Sequence, residues 1–491
     1  MSAGLEKDVE RERLTAENAE LRRRNEELSR RLTELEMLLK KLGGSVPTER
    51  LAQAYSLKAE EQRQAAAQAG GKKKRKTQKS VRRGRVTTAE KLSRAERIEA
   101  ILPKGFARDE CELLRRRPVW RIIDGRAVLV AYEIYQGPQG EVPKIPGVLP
   151  RCEFGLEILL TLAHQTQIVS LSIDKVGAEL QYFWGLRLSK SQADALLSRL
   201  AREWHSEFDQ LCQLVAVSAV VCTDETSWSQ NSVWAFLSEH ARLMIFGCHK
   251  DAATLETVLP KATFAGVLVS DDAAVYRGFS QAQKCWAHLL RKAIKLTLLC
   301  PGRPRYRAFC DGLLALYREA QRASADQRLG DDGRQRRIDE LELKLCDLCQ
   351  ARVQDTTPPT DKAERDFDNL AHELVRLMGA EELFTFVRVP AVPGTNNVSE
   401  QTLRTPAKNR RTDQTTRSVR GARRRTILTS VLESLRTRLP EFDCQSVLAE
   451  VSHWSRTGVS CFGRALKKLG LLPLENSPLD VLVPLPQGNT S

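Results

Sequence analysis

Three short apolar runs in succession constrain this chain most: Val220-Val221-Cys222-Thr223-Asp224-Glu225-Thr226, Ser232-Val233-Trp234-Ala235-Phe236-Leu237 and Leu243-Met244-Ile245-Phe246-Gly247. Each is bounded by polar or glycine-containing turns and is rich in β-branched and aromatic residues, so the runs predict consecutive β-strands. The first ends in acid at Asp224. A fourth run, Gly266-Val267-Leu268-Val269-Ser270-Asp271, ends the same way, and a third acid, Glu400, opens a predicted helix after the turn Pro393-Gly394-Thr395-Asn396-Asn397. Two acids at strand ends and one at a helix start can converge on a single pocket. A lone acid in such a place is more often a cap or a solvated residue, but three of them in this order favour the pocket. Three carboxylates suit hard cations, Mg2+ or Mn2+, which take oxygen ligands and keep positions for water and phosphate oxygens. Two such ions about 3.5–4 Å apart activate an attacking hydroxyl and stabilise the leaving oxygen of a phosphodiester.

The motifs around these acids resemble those of the IS66-type transposases, a branch of the DDE enzymes with an RNase H-like catalytic domain. Asp224-Glu225-Thr226 is similar to that family's first-acid motif, and Ser270-Asp271-Asp272-Ala273-Ala274-Val275-Tyr276 to its Asp-Gly-Tyr-Ala-x-Tyr segment. Cys285-Trp286-Ala287-His288-Leu289-Leu290-Arg291-Lys292 is similar to its Cys-Trp-Ala-His box. Asn396-Asn397-Val398-Ser399-Glu400-Gln401-Thr402-Leu403-Arg404 is similar to its third-acid motif, and Ser418-Val419-Arg420-Gly421-Ala422-Arg423 continues the likeness. The resemblance is close from about Asp224 to Arg436 and looser before it. It implies an α/β protein: an RNase H-like mixed-sheet catalytic domain at 213–440 with an α-helical insertion at about 300–390, preceded by a coiled coil and a helical DNA-binding segment. The implied activity is that of an insertion-sequence transposase, which cuts element-end DNA and transfers the 3′-OH ends to target DNA, with Asp224, Asp271 and Glu400 as catalytic metal ligands for Mg2+ or Mn2+. The chain departs from the pattern at three places. Asp272 stands where glycine is usual, leaving Asp271 as second acid and Asp272 as its rival. Gln401 replaces an arginine, and the paired cysteines of the family's zinc-binding segment are missing, with only Cys111 and Cys152 in that region. Two other readings stay open: a transposase-derived DNA-binding protein without catalysis, and a structure-specific nuclease that cuts without joining.

At the amino end Leu14, Leu21, Leu28, Leu35 and Leu42 recur at every seventh position, the d seam of a coiled coil. Asn18 and Asn25 fall at a, where asparagine favours a two-stranded parallel register. A dimerising zipper over 1–43 is expected, with a single amphipathic helix as the alternative, and Gly43-Gly44 ends it. Residues 62–86 read as a flexible basic linker in which Lys72, Lys73, Lys74, Arg75, Arg82 and Arg83 can track a phosphate backbone.

A small β-containing module is expected over 87–152. Over 153–212 two helices flank the turn Gly185-Leu186-Arg187-Leu188, the second opened by a Ser189/Gln192 capping box. They resemble a helix-turn-helix that offers Lys190, Gln192 and Arg199 to a major groove, with plain scaffolding weighed equally. After Glu400, Arg404, Lys408, Arg410, Arg411, Arg417 and Arg420, followed by Arg423, Arg424 and Arg425, form a run of one sign that suits phosphate clamping. Residues 441–491 are expected to form a helical segment and tail.

Lys and Arg number 77 against 62 Asp and Glu in 491 residues, a formal charge of +15, which favours double-stranded DNA as partner. A homodimer or a higher assembly on the DNA is expected, with helper proteins left open. The twelve cysteines lack the spacing of a secreted disulfide scaffold, and neither a leader nor an apolar run of about 18 residues is present, so a cytoplasmic, membrane-free protein is expected. Cys346 and Cys349 are expected on one buried helix face, Cys285 and Trp286 as core groups, and His288 as a hydrogen-bonded histidine rather than a zinc ligand.

Overall fold

The computed structural model describes residues 86–485 except 230, 356 and 413, together with 19, 20, 23, 24, 26, 27, 29 and 30. The chain divides into two compact units at Arg85/Val86. In the first unit the described residues are helical and exposed. The seam residues Leu14, Asn18, Leu21, Asn25, Leu28, Leu35 and Leu42 lie outside the described residues, as do Lys72, Lys73, Lys74, Arg75, Arg82 and Arg83.

The second unit is a mixed α/β structure with two sheets. It opens with a short helix α1 (Thr88–Ser93) and a three-stranded sheet of order β1-β3-β2, made of β1 (Arg97–Ile101), β2 (Glu112–Ile123) and β3 (Arg126–Gln136). β2 and β3 form a hairpin whose two-residue turn, Asp124-Gly125, has positive φ at both residues (51° and 75°), the geometry that matches strand twist. Four helices follow: α2 (Leu156–Ala163), α3 (Ile173–Trp184), α4 (Lys190–Glu203) and α5 (His205–Ala216). Gly185 ends α3 in the left-handed conformation at φ 69°, and the expected capping box of Ser189 and Gln192 starts α4.

The main sheet has the order β6-β5-β4-β7-β8. β4 (Val220–Trp228), β5 (Asn231–Leu237) and β6 (Arg242–Cys248) are antiparallel, while β7 (Val267–Ser270) and β8 (Ala282–Lys284) run parallel to β4. The three apolar runs thus form the consecutive strands their composition predicts. Between β6 and β7 lies α6 (Ala252–Val258). Alternate residues of the strands enter two cores, as the pleat requires: Val221 and Leu268 join one, Cys222, Val267 and Val269 the other. The second core is filled by α7 (Trp286–Leu299), α8 (Pro304–Ala325), α9 (Asp331–Val353), α10 (Lys362–Gly379) and α11 (Thr385–Arg388). Of the two cysteines on α9, Cys349 is buried and Cys346 is exposed, its Sγ 3.9 Å from Met378 Sδ. Three residues turn a helix through about 300°, which carries the first thiol past the edge of the packed face.

The last helices are α12 (Asn397–Arg411), α13 (Val419–Arg438), α14 (Cys444–Thr457), α15 (Cys461–Lys468) and α16 (Pro478–Leu482). α13 lies along the outer strand β6 in an unusual way. The hydroxyls of Thr426, Ser430 and Ser434, one per turn, accept from the backbone N–H groups of Phe246, Met244 and Arg242 at 3.0, 2.9 and 2.9 Å. The two serines also donate to the carbonyls of Met244 and Arg242. At the opposite rim Lys284 N–H donates to Glu382 O and Thr385 Oγ1 to Ala282 O, while Phe386 N–H donates to Gln283 Oε1. Both edges of the main sheet are therefore paired. Among the described residues no helix is long and apolar enough to cross a membrane.

Candidate active site

Strand register brings the first two acids side by side. The last pair between the parallel strands β4 and β7 is Cys222 with Val269, so Asp224 and Asp271 each lie two residues further on, facing the same side of the sheet as that pair. Glu400 comes from the first turn of α12, which packs against β4. The buried Asn396 caps that helix and fixes it in place: its Nδ2 donates to Thr223 O at 2.7 Å, beside Asp224, and its N–H donates to Cys285 Sγ at 3.1 Å. Cys285 N–H in turn donates to Ser270 O. One thiol and one amide thereby tie β4, β7, α7 and α12 around the acids.

The electrostatics follow from this convergence. Burial, then the neighbouring charges of Glu225, Asp271 and Glu400, push the Asp224 carboxyl up to about 7. Asp271 accepts from Ala273 N–H, whereas the rival Asp272 is paired with Arg376. Glu225, the other acid of the first motif, is engaged by Lys250 and by the hydroxyl of the buried Tyr276. Tyr276 is held protonated far above its ordinary range by burial and by that carboxylate. Glu400 is met by Arg291 and, at 3.6 Å, by His288 Nε2; burial and Arg291 keep the imidazole below its usual value. Ligand atoms of Cys285, His288 and Glu400 lie within 4.8 Å of one another. Trp286 is fully buried, with its indole N–H on Leu383 O, and Cys285 is buried too. Lys284, buried and bonded to Ser270 Oγ at 3.3 Å, has its charge disfavoured by desolvation close to Asp271 and Asp272.

Lys250, Arg291 and Lys284 carry charge at the site that the reading of the sequence did not single out. Arg291 and Lys284 stand within or next to the Cys-Trp-Ala-His box, but nothing in the spacing of Lys250 marks it.

The basic residues after Glu400 divide into two groups. Arg404, Lys408, Arg410, Arg411, Arg417 and Arg420 are exposed, with Arg410 reaching Ser227 O. Arg423 is buried and holds the carbonyls of Leu479 and Val483, and Arg424 pairs with Asp194. Arg425 lies 5.1 Å over both Trp228 and Phe246. The last three therefore face inward, because this part of α13 packs on the molecule. On α4, Lys190 is exposed and pairs with Asp174 at 2.9 Å, Gln192 spends its Oε1 on the N–H of Ser189, and Arg199 holds Arg151 O.

Comparison with curated proteins gives no match. A family model described as the Transposase IS66 family matches residues 154–424, a span that begins before α2 and holds all three acids.

Proposed function

Because this chain belongs to the IS66 family of transposases, its activity is that of an insertion-sequence transposase, and we propose that Asp224, Asp271 and Glu400 hold the divalent cations it uses. The observation that carries this reading is the placement of Asp224 and Asp271 two residues beyond the last β4–β7 pair, with Asp271 and Glu400 both near enough to raise the Asp224 carboxyl. The donor set fits Mg2+ or Mn2+: oxygen ligands only, carrying more negative charge than the site neutralises by itself. Glu225 and Asp272 fit less well, being committed to Lys250 with Tyr276 and to Arg376. We also propose that the main sheet is RNase H-like, a reading supported by its order and by three antiparallel strands followed by two parallel ones.

When bound, the ions supply activation of water or of a 3′-hydroxyl and stabilisation of the leaving oxygen. The protein does the positioning. Asn396 and Cys285 hold the acids in one geometry, and Arg291 and His288 balance Glu400. Exposed Arg404, Lys408, Arg410, Arg411, Arg417 and Arg420 draw element-end and target DNA towards α12. The amino-terminal heptads pair two chains, and the basic run from Lys72 to Arg83 adds sequence-independent affinity. The test is a cleavage and joining assay on DNA carrying the element's inverted ends, with Mg2+ or Mn2+. Joined products should fall by about 10³-fold or more, roughly 4 kcal/mol of barrier, in Asp224→Ala and in Glu400→Gln. Cutting without joining would favour the nuclease, and binding without metal-dependent cutting the inactive relic.

A further inference from the structure

Behind α12, on the side of the helix that carries Gln401, Thr402 and Thr405, the molecule holds a cavity of about 360 Å³ between that helix, β6 and α13. Its wall carries three guanidinium groups, Arg242, Arg425 and Arg436, against the single carboxylate of Glu433. Glu433 lies 3.8 Å from Arg242 and 3.3 Å from Arg436, so its charge is shared by those two. Arg425 is different. Its Nε is enclosed and has no hydrogen-bond partner, and no carboxylate pairs with it among the described residues. Stacking on Trp228 and Phe246 covers the flat face of its guanidinium, but a cation–π contact satisfies none of the N–H groups on the rim. One turn further along α13 and also in the wall, the buried Thr429 hydroxyl is without a partner.

An enclosed guanidinium nitrogen without a partner is costly unless something fills it. The planar fork of arginine matches two oxygens of a tetrahedral anion. We propose that this cavity is a phosphate-binding site in which the Arg425 fork and the Thr429 hydroxyl take a phosphate group. Burial also pulls the Arg425 guanidinium down to about 10, the direction an unsatisfied cation gives and an anion would reverse. The phosphate belongs to a DNA backbone or to a free phosphate compound. The DNA source rests on the function proposed above; the anion site does not.

The test uses the full chain without divalent ions. Inorganic phosphate, compared with chloride at equal ionic strength, should raise the melting temperature of the wild type by a few degrees, and Arg425→Leu should abolish the shift. Arg425→Lys keeps the charge but not the fork and should weaken phosphate binding about tenfold. Where Arg425→Leu does not fold, Thr429→Val, which keeps the packing volume, should weaken it several-fold. A wild type no more stabilised by phosphate than by chloride, or variants that respond as it does, would overturn the site. The source is then read from DNA binding: a slope of log affinity against log salt that falls by about 1 in Arg425→Leu assigns a backbone phosphate. An unchanged slope beside a lost phosphate response assigns a free phosphate compound. Neither readout needs catalysis, so loss of the proposed two-metal chemistry would leave this result standing.

Discussion

Asp224 is charged at neutral pH only against resistance. Its carboxyl sits at about 7 in the folded chain, above the ordinary value near 4 for an aspartate, so folding favours the protonated form. The stabilising contribution of that form is complete below about pH 4 and is lost as pH rises through 7. In the presence of a chelator, the wild type should therefore lose melting temperature between pH 5 and pH 8, and Asp224→Asn should lose less and melt a few degrees higher at pH 8. Mg2+ should restore the wild type and leave the variant unmoved; equal melting curves at pH 8 would remove Asp224 from the charge cluster. The three acids were legible because each ended an apolar run or opened a helix, where periodicity says which way a chain turns. Their partners were not. Lys250 reaches Glu225, and Arg376 reaches Asp272 across 104 residues, and contacts at such separation leave no period in a sequence. The inward-facing trio Arg423, Arg424 and Arg425 shows the converse: a charge run looks alike whether a helix face meets solvent or packs.

At the scale of elements, strand positions and the Ser189 cap could be read from local pattern, but the relation of α13 to β6 could not. Thr426, Ser430 and Ser434 look like weak helix formers, since hydroxyls compete for backbone partners. Here they serve as a substitute strand, and only the tertiary structure shows what they bond. Ser430→Val should leave the buried Met244 N–H unpaired and cost about 1–3 kcal/mol in denaturant unfolding, against a few tenths for an exposed serine of another helix. A loss no larger than that control would mean that the hydroxyl row merely accompanies packing. Helix α9 carries a smaller lesson, because the pair Cys346 and Cys349 straddles the edge of a buried face that a helical count alone could not place to within one side chain.

For the whole molecule, the excess of 77 basic over 62 acidic residues makes DNA affinity a question of salt. Replacing Lys72, Lys73, Lys74, Arg75, Arg82 and Arg83 by alanine should flatten the salt dependence of non-specific binding by up to about 5 in slope, if each meets one phosphate. An unaltered slope would assign the contacts to the exposed arginines after Glu400 instead. Composition suggests such a partition from the sequence alone, whereas the closure of the main sheet at both rims leaves no mark in it. That closure sets a limit on how copies of the chain can associate. A sheet whose outer strands are already answered, by hydroxyls on one side and by the Glu382–Phe386 segment on the other, offers no template to a neighbour's backbone. Whatever meets this domain cannot add a strand to either rim of its main sheet, so a contact made there runs through side chains and can be undone, rather than fusing into a continuous, irreversible ribbon.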